Sequence, residues 1–218
     1  MSTKPGIIAA ALCGLLGLLM SIAYADRVIL SPSPSALAPD AARGEVAVGT
    51  GEHPLTSYWA NFGSAVTEIE VAALHKPNED AGAISIESQL LPETSGLPSL
   101  AIGIRDLGNN TYNYGASGYY GRSAYVVGGR KPIQLAAAPY PIRNLSYTVG
   151  AGGFGIKGPF GSVSADLPFN FHWTVEWDSR DFNGRLAWSL SNSASLQYER
   201  FGSANYIGFA LFTPATIF

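Results

Sequence analysis

The sequence predicts an all-β fold: a single antiparallel transmembrane β-barrel of about ten to twelve strands that follows a cleaved signal peptide. Apolar residues recur with a period of two along most of the chain, and the N-terminus reads as an export signal. The composition is also poor in charge. Charged residues make up 13% of the 218 residues, whereas an ordinary soluble domain carries about 25%.

The N-terminal residues have the parts of a secretory signal peptide. Lys4 precedes an apolar run, and Ala23 and Ala25 occupy the small-residue positions of a cleavage site. The alternative is a membrane-spanning helix, because the run approaches spanning length. Cleavage after Ala25 would remove Cys13, the single cysteine, so we expect a mature chain without disulfides or thiolate metal ligands.

Three segments follow from this division of the chain. We expect a signal peptide at residues 1–25 and a flexible leader rich in Pro, Ser and Ala at 26–43. The barrel is expected at 44–218. The formal net charge of −3 does not suggest nucleic acid as a partner.

The clearest alternation is FHWTVEWD at 171–178, where Phe, Trp, Val and Trp alternate with His, Thr, Glu and Asp. Such alternation predicts a strand with one apolar and one polar face. Turn residues separate similar runs throughout the chain. Helix remains an option only at Ile133–Ala138. The predicted strands are 44–52, 57–63, 65–76, 81–91, 98–107, 118–129, 143–154, 159–167, 171–179, 184–190, 194–201 and 204–212.

The two faces of these strands decide between a soluble and a membrane barrel. In a membrane barrel the apolar face contacts lipid and the polar face lines the lumen, with Tyr and Trp near the headgroups. A soluble periplasmic β-barrel that binds a ligand is the alternative. We expect a lumen network of Glu68, Glu70, Glu87, Arg105, Arg122, Glu176, Asp178, Arg185 and Glu199. The lipid-facing aromatic residues are then Tyr125, Tyr147, Trp173, Trp177, Trp188 and Tyr198.

A glycine-rich segment, GAGGFG at 150–155, matches the dinucleotide-binding pattern G-x-G-x-x-G. That pattern binds a pyrophosphate only where a helix opens at the last glycine. Here IKGPFGSVSADL follows, which predicts a turn and another strand. We therefore expect no nucleotide and no cofactor, and we expect Gly103, Gly150 and Gly152 to make room for bulky charged neighbours in the lumen.

Several segments in succession resemble the YjbH-like outer-membrane barrel family, which is associated with exopolysaccharide production and secretion. They are LLPETSGLPSLAIGIRDLG at 90–108, YGRSAYVVGGRKP at 120–132 and a run from 160 to 202 that contains EWDSRDFN. The resemblance covers about residues 64–212. It implies an outer-membrane protein with an accessory role in exopolysaccharide production or export, in contact with lipid and with polysaccharide or other envelope proteins. The chain is far shorter than large family members. Pro214 lies where the family's terminal strand would run and cannot donate to a ladder, so either Phe212 ends the barrel or Phe218 belongs to a short tail.

Candidate chemistry is sparse. Glu176, Asp178, Arg180 and Asp181 suggest either a calcium site or, as we favour, an ion-pair network with a charged turn. The wide spacing of the three histidines argues against a metal site. His172, beside Thr174 and near Ser164, is the one arrangement that suggests a membrane-embedded enzyme acting on lipid or glycan. We predict no catalytic residues and no metal, and a lumen that is plugged or narrow.

Overall fold

A computed structural model describes residues 42–50, 55–63, 66–77, 79–112, 121–134, 142 and 144–212. The described residues form twelve strands and one short 3₁₀ turn, Pro168–Asn170. None of the described residues belongs to a helix long and apolar enough to span a membrane. The strands are β1 (Ala42–Thr50), β2 (Thr56–Gly63), β3 (Thr67–Lys76), β4 (Glu79–Leu91), β5 (Ser99–Arg105), β6 (Ser123–Gln134), β7 (Asn144–Phe154), β8 (Gly158–Asp166), β9 (Phe171–Trp177), β10 (Phe182–Ser191), β11 (Ala194–Phe201) and β12 (Ala204–Phe212).

The strands close into a barrel. Each strand pairs antiparallel with the next along the chain, and β12 pairs with β1 in a register that places Val46 opposite Phe209. Both the start of β1 and the end of β12 therefore lie at one end, which we call the terminus end. The opposite end, the loop end, carries the connections around residues 106–122, 155–157, 178–181 and 202–203.

The predicted all-β barrel is confirmed, with the larger of the two strand numbers. The first two predicted strands, 44–52 and 57–63, are present as β1 and β2, although β1 begins at Ala42 and so includes two residues of the expected leader. At Ile133–Ala138 no helix begins within the described residues, because Ile133 and Gln134 continue β6. The register of β6 against β7 shifts between Arg130 and Ile133, where Pro132 interrupts the ladder. The signal peptide expected at 1–25 lies outside the described residues.

Burial alternates along the strands, with the polar face inside and the apolar face outside. On β11, for example, Ser195, Gln197 and Glu199 are buried while Leu196 and Tyr198 are exposed. The outward face elsewhere carries large apolar side chains, including Ile84, Ile102, Val126, Val149, Val175, Leu186 and Ile207. The barrel is thus inverted relative to a soluble domain, whose apolar side chains pack inside.

Glycines in two strands create space for aromatic rings in the lumen. A Cβ at Gly103 would collide with the Tyr125 ring, its cross-strand neighbour, and a Cβ at Gly150 would collide with the Phe160 ring. A Cβ at Gly152 would likewise collide with Ile156. The expectation that these three glycines make room for neighbours is confirmed, but the neighbours are aromatic or aliphatic rather than charged. The segment GAGGFG forms the end of β7 and the turn after it, and the chain continues into β8.

We expect Gly150→Ala to lower the free energy of unfolding by about 1–3 kcal/mol, because overpacking a filled interior forces neighbours to move. The new Cβ would lie 2.5 Å from the carbonyl oxygen of Val126, which belongs to the backbone and cannot rotate away. Urea titration of the detergent-folded protein measures the loss. The matched control is Gly153→Ala on the same strand, because no described atom outside its chain neighbours lies within 4 Å of a Cβ there. Equal stability of the two variants would contradict this packing.

Candidate functional site

The lumen between β2 and β4 holds a group of carboxylates supported by neutral donors. Asn61 Nδ2 donates to Glu68 Oε1 at 2.6 Å and to Glu70 Oε2 at 3.4 Å. Ser85 Oγ donates to Glu70 Oε1 at 3.4 Å. Glu70 is buried and Glu68 is partly buried, as the alternation of β3 predicts. Amide and hydroxyl donors therefore offset part of the desolvation of these carboxylates.

Glu87 joins this group to the next sector of the wall. It lies opposite Glu68 on β3 and opposite Gly103 on β5. Tyr125, on β6, reaches across Gly103 and donates its hydroxyl hydrogen bond to Glu87 Oε2 at 3.0 Å. Arg105 is buried on the inward face of β5 in the same sector. The missing side chain of Gly103 is what allows a contact between strands that are not adjacent.

The sector from β9 to β11 holds the second set of expected lumen residues. Glu176, Arg185 and Glu199 are all buried on the inward face. Arg185 lies directly opposite Glu199, and Glu176 lies opposite Asn183. Gln197, which sequence reasoning missed, is 2% exposed in the same sector. These polar side chains are therefore enclosed by the barrel wall and by neighbouring side chains.

Two of the predicted positions are wrong, and a single error explains both. Arg122 was assigned to the lumen and Tyr125 to the lipid face, but Arg122 is exposed at the loop end and donates to the Leu107 carbonyl at 2.6 Å. Tyr125 points inward. The run Ala124–Val127 is apolar throughout, so no alternation shows which of its residues face the lumen. A shift of one residue in the assignment then moves every side chain of the strand to the other side.

The remaining aromatic residues of the prediction lie on the outward face. Trp177 is 38% exposed and Trp188 is 45% exposed, and Trp173 shares the outward face of β9 with Trp177. The Phe171 ring stacks on Trp188, with ring centroids 6.1 Å apart. Tyr147 and Tyr198 are also exposed on the outward faces of β7 and β11.

Asp178 organises the turn between β9 and β10. Its Oδ1 accepts hydrogen bonds from the backbone N–H groups of Arg180 and Asp181, at 2.9 and 2.8 Å, and its Oδ2 accepts one from Asn183 at 3.1 Å. Arg180 Nη2 donates to the Gly155 carbonyl at 2.7 Å and so joins this turn to the one after β7. The segment therefore acts as a charged structural turn. The described residues include no group of three or more His, Cys, Asp or Glu side chains arranged to hold a metal ion.

A second aspartate, Asp106, caps the connection after β5. Its carboxylate accepts hydrogen bonds from the backbone N–H of Asn110 and from both the N–H and the hydroxyl of Thr111. Asp106 itself has a φ of 50°, a left-handed conformation that Asp tolerates better than most residues. The carboxylate is fully buried and has a structural role at the loop end.

A series of hydrogen bonds near the terminus end links an acid, a histidine and two hydroxyls. Asp166 Oδ1 lies 2.8 Å from His172 Nδ1, and His172 Nε2 lies 3.5 Å from Thr174 Oγ1. Thr174 Oγ1 in turn lies 3.0 Å from Ser164 Oγ. The sequence had suggested His172, Thr174 and Ser164 as a group and Asp166 as a residue of the polar face, without connecting Asp166 with His172. The hairpin between β8 and β9 pairs Asp166 with His172, so a prediction of its register would have placed the two side chains together.

Arg43 and Glu45 were also missed, because Arg43 was assigned to the leader. Arg43 Nη2 donates to Glu45 Oε2 at 2.7 Å, and both side chains are 3% exposed. The alternation of β1 extends back through the boundary at residue 44 and would have revealed the pair.

Apolar side chains fill the lumen toward the loop end. One cluster contains Trp59, Leu74, Phe201 and Tyr206, and the second contains Val127, Ile156 and Phe160 against Tyr125. Phe201 and Tyr206 meet edge to face, with ring centroids 5.3 Å apart. Together with the buried polar rows, these clusters fill the interior with side chains over much of the described barrel.

No family model, curated protein or solved structure matches this chain.

We expect Tyr125→Phe to lower the free energy of unfolding by about 1–3 kcal/mol, because it leaves a buried Glu87 oxygen without its donor. Tyr147→Phe is the matched control, since that side chain is exposed on the outward face. Urea titration of both variants measures the difference. A loss of the same size in the control would show that the hydroxyl contact with Glu87 is not the cause.

Proposed function

We propose that this chain is an integral outer-membrane β-barrel with a structural or accessory role in exopolysaccharide production or export. The observation that carries the proposal is the inverted barrel, with Glu, Arg and Asp inside and Ile, Val, Leu, Trp and Tyr outside. In water such a surface would expose a large apolar area. In a bilayer the same surface is in its preferred solvent, and closure leaves no unpaired strand edge.

Several independent features support this location. Strands of 7–13 residues match the length that a tilted strand needs to cross the hydrocarbon core, about 9–11 residues. An even number of strands keeps both termini on one side. The export signal expected at residues 1–25 would deliver the chain to the periplasm, from which outer-membrane barrels insert.

A soluble periplasmic binding barrel agrees less well with the side-chain distribution. That alternative requires Trp173, Trp177 and Trp188 to be buried, whereas Trp177 and Trp188 are exposed on the outward face. It also requires charged residues outside, whereas Glu176, Arg185 and Glu199 are buried inside.

The filled interior favours an accessory role over an open channel. Two apolar clusters and the polar rows occupy the lumen, so a polysaccharide chain would need a separate, wider pore. The exopolysaccharide connection itself comes from the resemblance to YjbH-like proteins.

Expression of the full chain in a Gram-negative host tests this proposal. We expect the protein in the membrane fraction after a high-salt wash, with faster gel migration before heating than after, because a closed barrel resists detergent unfolding. The purified protein should give no steady porin-like conductance in a planar bilayer. A soluble product with unchanged migration would contradict the membrane assignment, and a large steady conductance would contradict the filled lumen.

A second candidate function is hydrolysis of a lipid or glycan ester, and the series Asp166–His172–Thr174–Ser164 favours it. A carboxylate that orients a histidine toward a hydroxyl is the arrangement that activates an oxygen nucleophile. Accessibility weighs against this candidate, because Thr174 is 1% exposed and Ser164 is 3% exposed. Glu176 does not contribute, since it lies opposite Ser162 and Asn183 rather than beside His172.

Esterase assays with micellar acyl substrates separate the two candidates. If this series hydrolyses esters, His172→Ala should lower kcat at least about 100-fold, because the variant loses the general base. His75→Ala is the matched control, because His75 contacts Asp80 in an exposed pair at the loop end. We expect no turnover by the wild-type protein. Turnover that His172→Ala abolishes and His75→Ala preserves would establish the enzyme instead.

A further inference from the structure

The side chain of Gln197 lies inside the lumen with both polar atoms of its amide unpaired. It is on the inward face of β11 and is 2% exposed. Neither the amide nitrogen Nε2 nor the amide oxygen Oε1 forms a hydrogen bond with any of the described residues, and both atoms are buried. Buried amides are almost always paired with protein groups or ordered water, because a buried donor or acceptor left unpaired opposes folding. The Gln197 amide therefore points to a further partner.

Arg185 lies close enough to share that partner. It is opposite Glu199 on β11, two residues from Gln197 on the same inward face, so Arg185 and Gln197 are diagonal neighbours across the strand pair. Diagonal neighbours are about 7–8 Å apart, which is within reach of long side chains. Arg185 is buried, and its Nε also forms no hydrogen bond with the described residues. Two nitrogen donors and one oxygen acceptor thus lie unpaired in one part of the lumen.

Small residues surround Gln197. Gly208 on β12 and Ala187 on β10 lie opposite it, and Ser195 precedes it on the same face of β11. The aliphatic stem of Gln197 packs over Gly208, where an added Cβ would lie 3.2 Å from the Gln197 Cγ. The methyl group of Ala187 and the short side chain of Ser195 leave room beside the amide that larger residues would fill. A polar site with room and several partners is what a buried water molecule requires.

We propose that the lumen between β10 and β12 holds a cluster of bound internal water that pairs with the Gln197 amide and the Arg185 guanidinium. Water donates to Gln197 Oε1 and accepts from Gln197 Nε2 and from Arg185 Nε. Water suits this site better than an anion does, because the amide is neutral and Arg185 faces the carboxylate of Glu199 across the strand pair. A bridge through water is nearly as favourable in enthalpy as a direct hydrogen bond. This inference goes beyond the proposed function and does not depend on the membrane location.

Nuclear magnetic resonance of the detergent-folded full chain tests the proposal without any variant. Labelling of glutamine with ¹⁵N reports on the side-chain amides of Gln89, Gln134 and Gln197, and assignment along β11 identifies the signal of Gln197. We expect a dipolar cross-peak between the Gln197 amide protons and water, with the sign given by bound rather than freely diffusing water. A Gln197 signal without this cross-peak would overturn the proposal.

Gln197→Met distinguishes a hydrated amide from an unpaired one, because methionine keeps the length of the side chain and removes both polar atoms. Loss of hydrogen bonds to bound water should shift the folding equilibrium roughly fivefold toward the unfolded state. Loss of polar atoms that had no partner would shift the equilibrium toward the folded state instead. Leu196→Met, one residue earlier on the outward face, is the matched control and should change the equilibrium by no more than about twofold. Urea titration measures both shifts.

Stability of Gln197→Met equal to or greater than that of the wild type would overturn the proposal. If this variant does not fold, the water cross-peak of the wild-type chain decides alone. A crystal structure that resolves ordered water in the lumen provides a third measurement. Electron density for water within hydrogen-bond distance of the Gln197 amide would support the proposal, whereas a direct hydrogen bond between Gln197 and Arg185, or an ion at this place, would overturn it.

Discussion

The pairing of β1 with β12 is the contact on which the rest of this structure depends. It joins the first and last strands along eight residue pairs, from Arg43 opposite Phe212 to Thr50 opposite Asn205. Without it, both strands would present unpaired N–H and C=O groups beside an apolar outer surface. In hydrocarbon each such group costs several kcal/mol. Because closure pairs the backbone groups of the first and last strands, a single sheet can carry an apolar outer face and a polar inner face without an exposed edge.

Closure also determines how the interior is used. Twelve strands enclose a lumen of limited width. In this lumen, a glycine on one strand leaves the space that an aromatic ring on the next strand occupies. Gly103 leaves the space that Tyr125 occupies, and Tyr125 in turn donates to Glu87 on a strand further around the wall. The carboxylates of β3 and β4 accept hydrogen bonds from amide and hydroxyl groups, and Arg105 is buried in the same sector. A lumen filled in this way packs the barrel wall from the inside.

The sequence predicted the strands well because the two sides of nearly every strand in this barrel face different surroundings, polar inside and apolar outside. Where polar and apolar residues alternate cleanly, as at FHWTVEWD, both the strand and its inward face were correct. Where the alternation fails, as at Ala124–Val127, the strand was found but its faces were exchanged, which misplaced Arg122 and Tyr125.

Other features could not be read from periodicity at all. The pairing of Asp166 with His172 depends on the register of a hairpin whose turn includes Phe169 and Asn170 at φ values of 61° and 63°. The contact of Arg180 with the Gly155 carbonyl likewise joins two turns that are distant in sequence and meet at the loop end. Such juxtapositions arise from the register of paired strands, which the alternation of polar and apolar residues does not record. The start of β1 was missed for a different reason, because Ala42 and Arg43 follow a Pro- and Ser-rich stretch that suggested a leader.

The position of the tryptophans in a bilayer tests the inverted barrel most directly. Single-tryptophan variants that retain either Trp188, on the outward face, or Trp59, which is 3% exposed in the lumen, would be folded into vesicles of lipids with brominated acyl chains. Because bromine quenches fluorescence only at close range, the inverted barrel predicts strong quenching of Trp188 and little quenching of Trp59. Quenching of Trp59 with Trp188 unaffected, or no quenching of either, would contradict it.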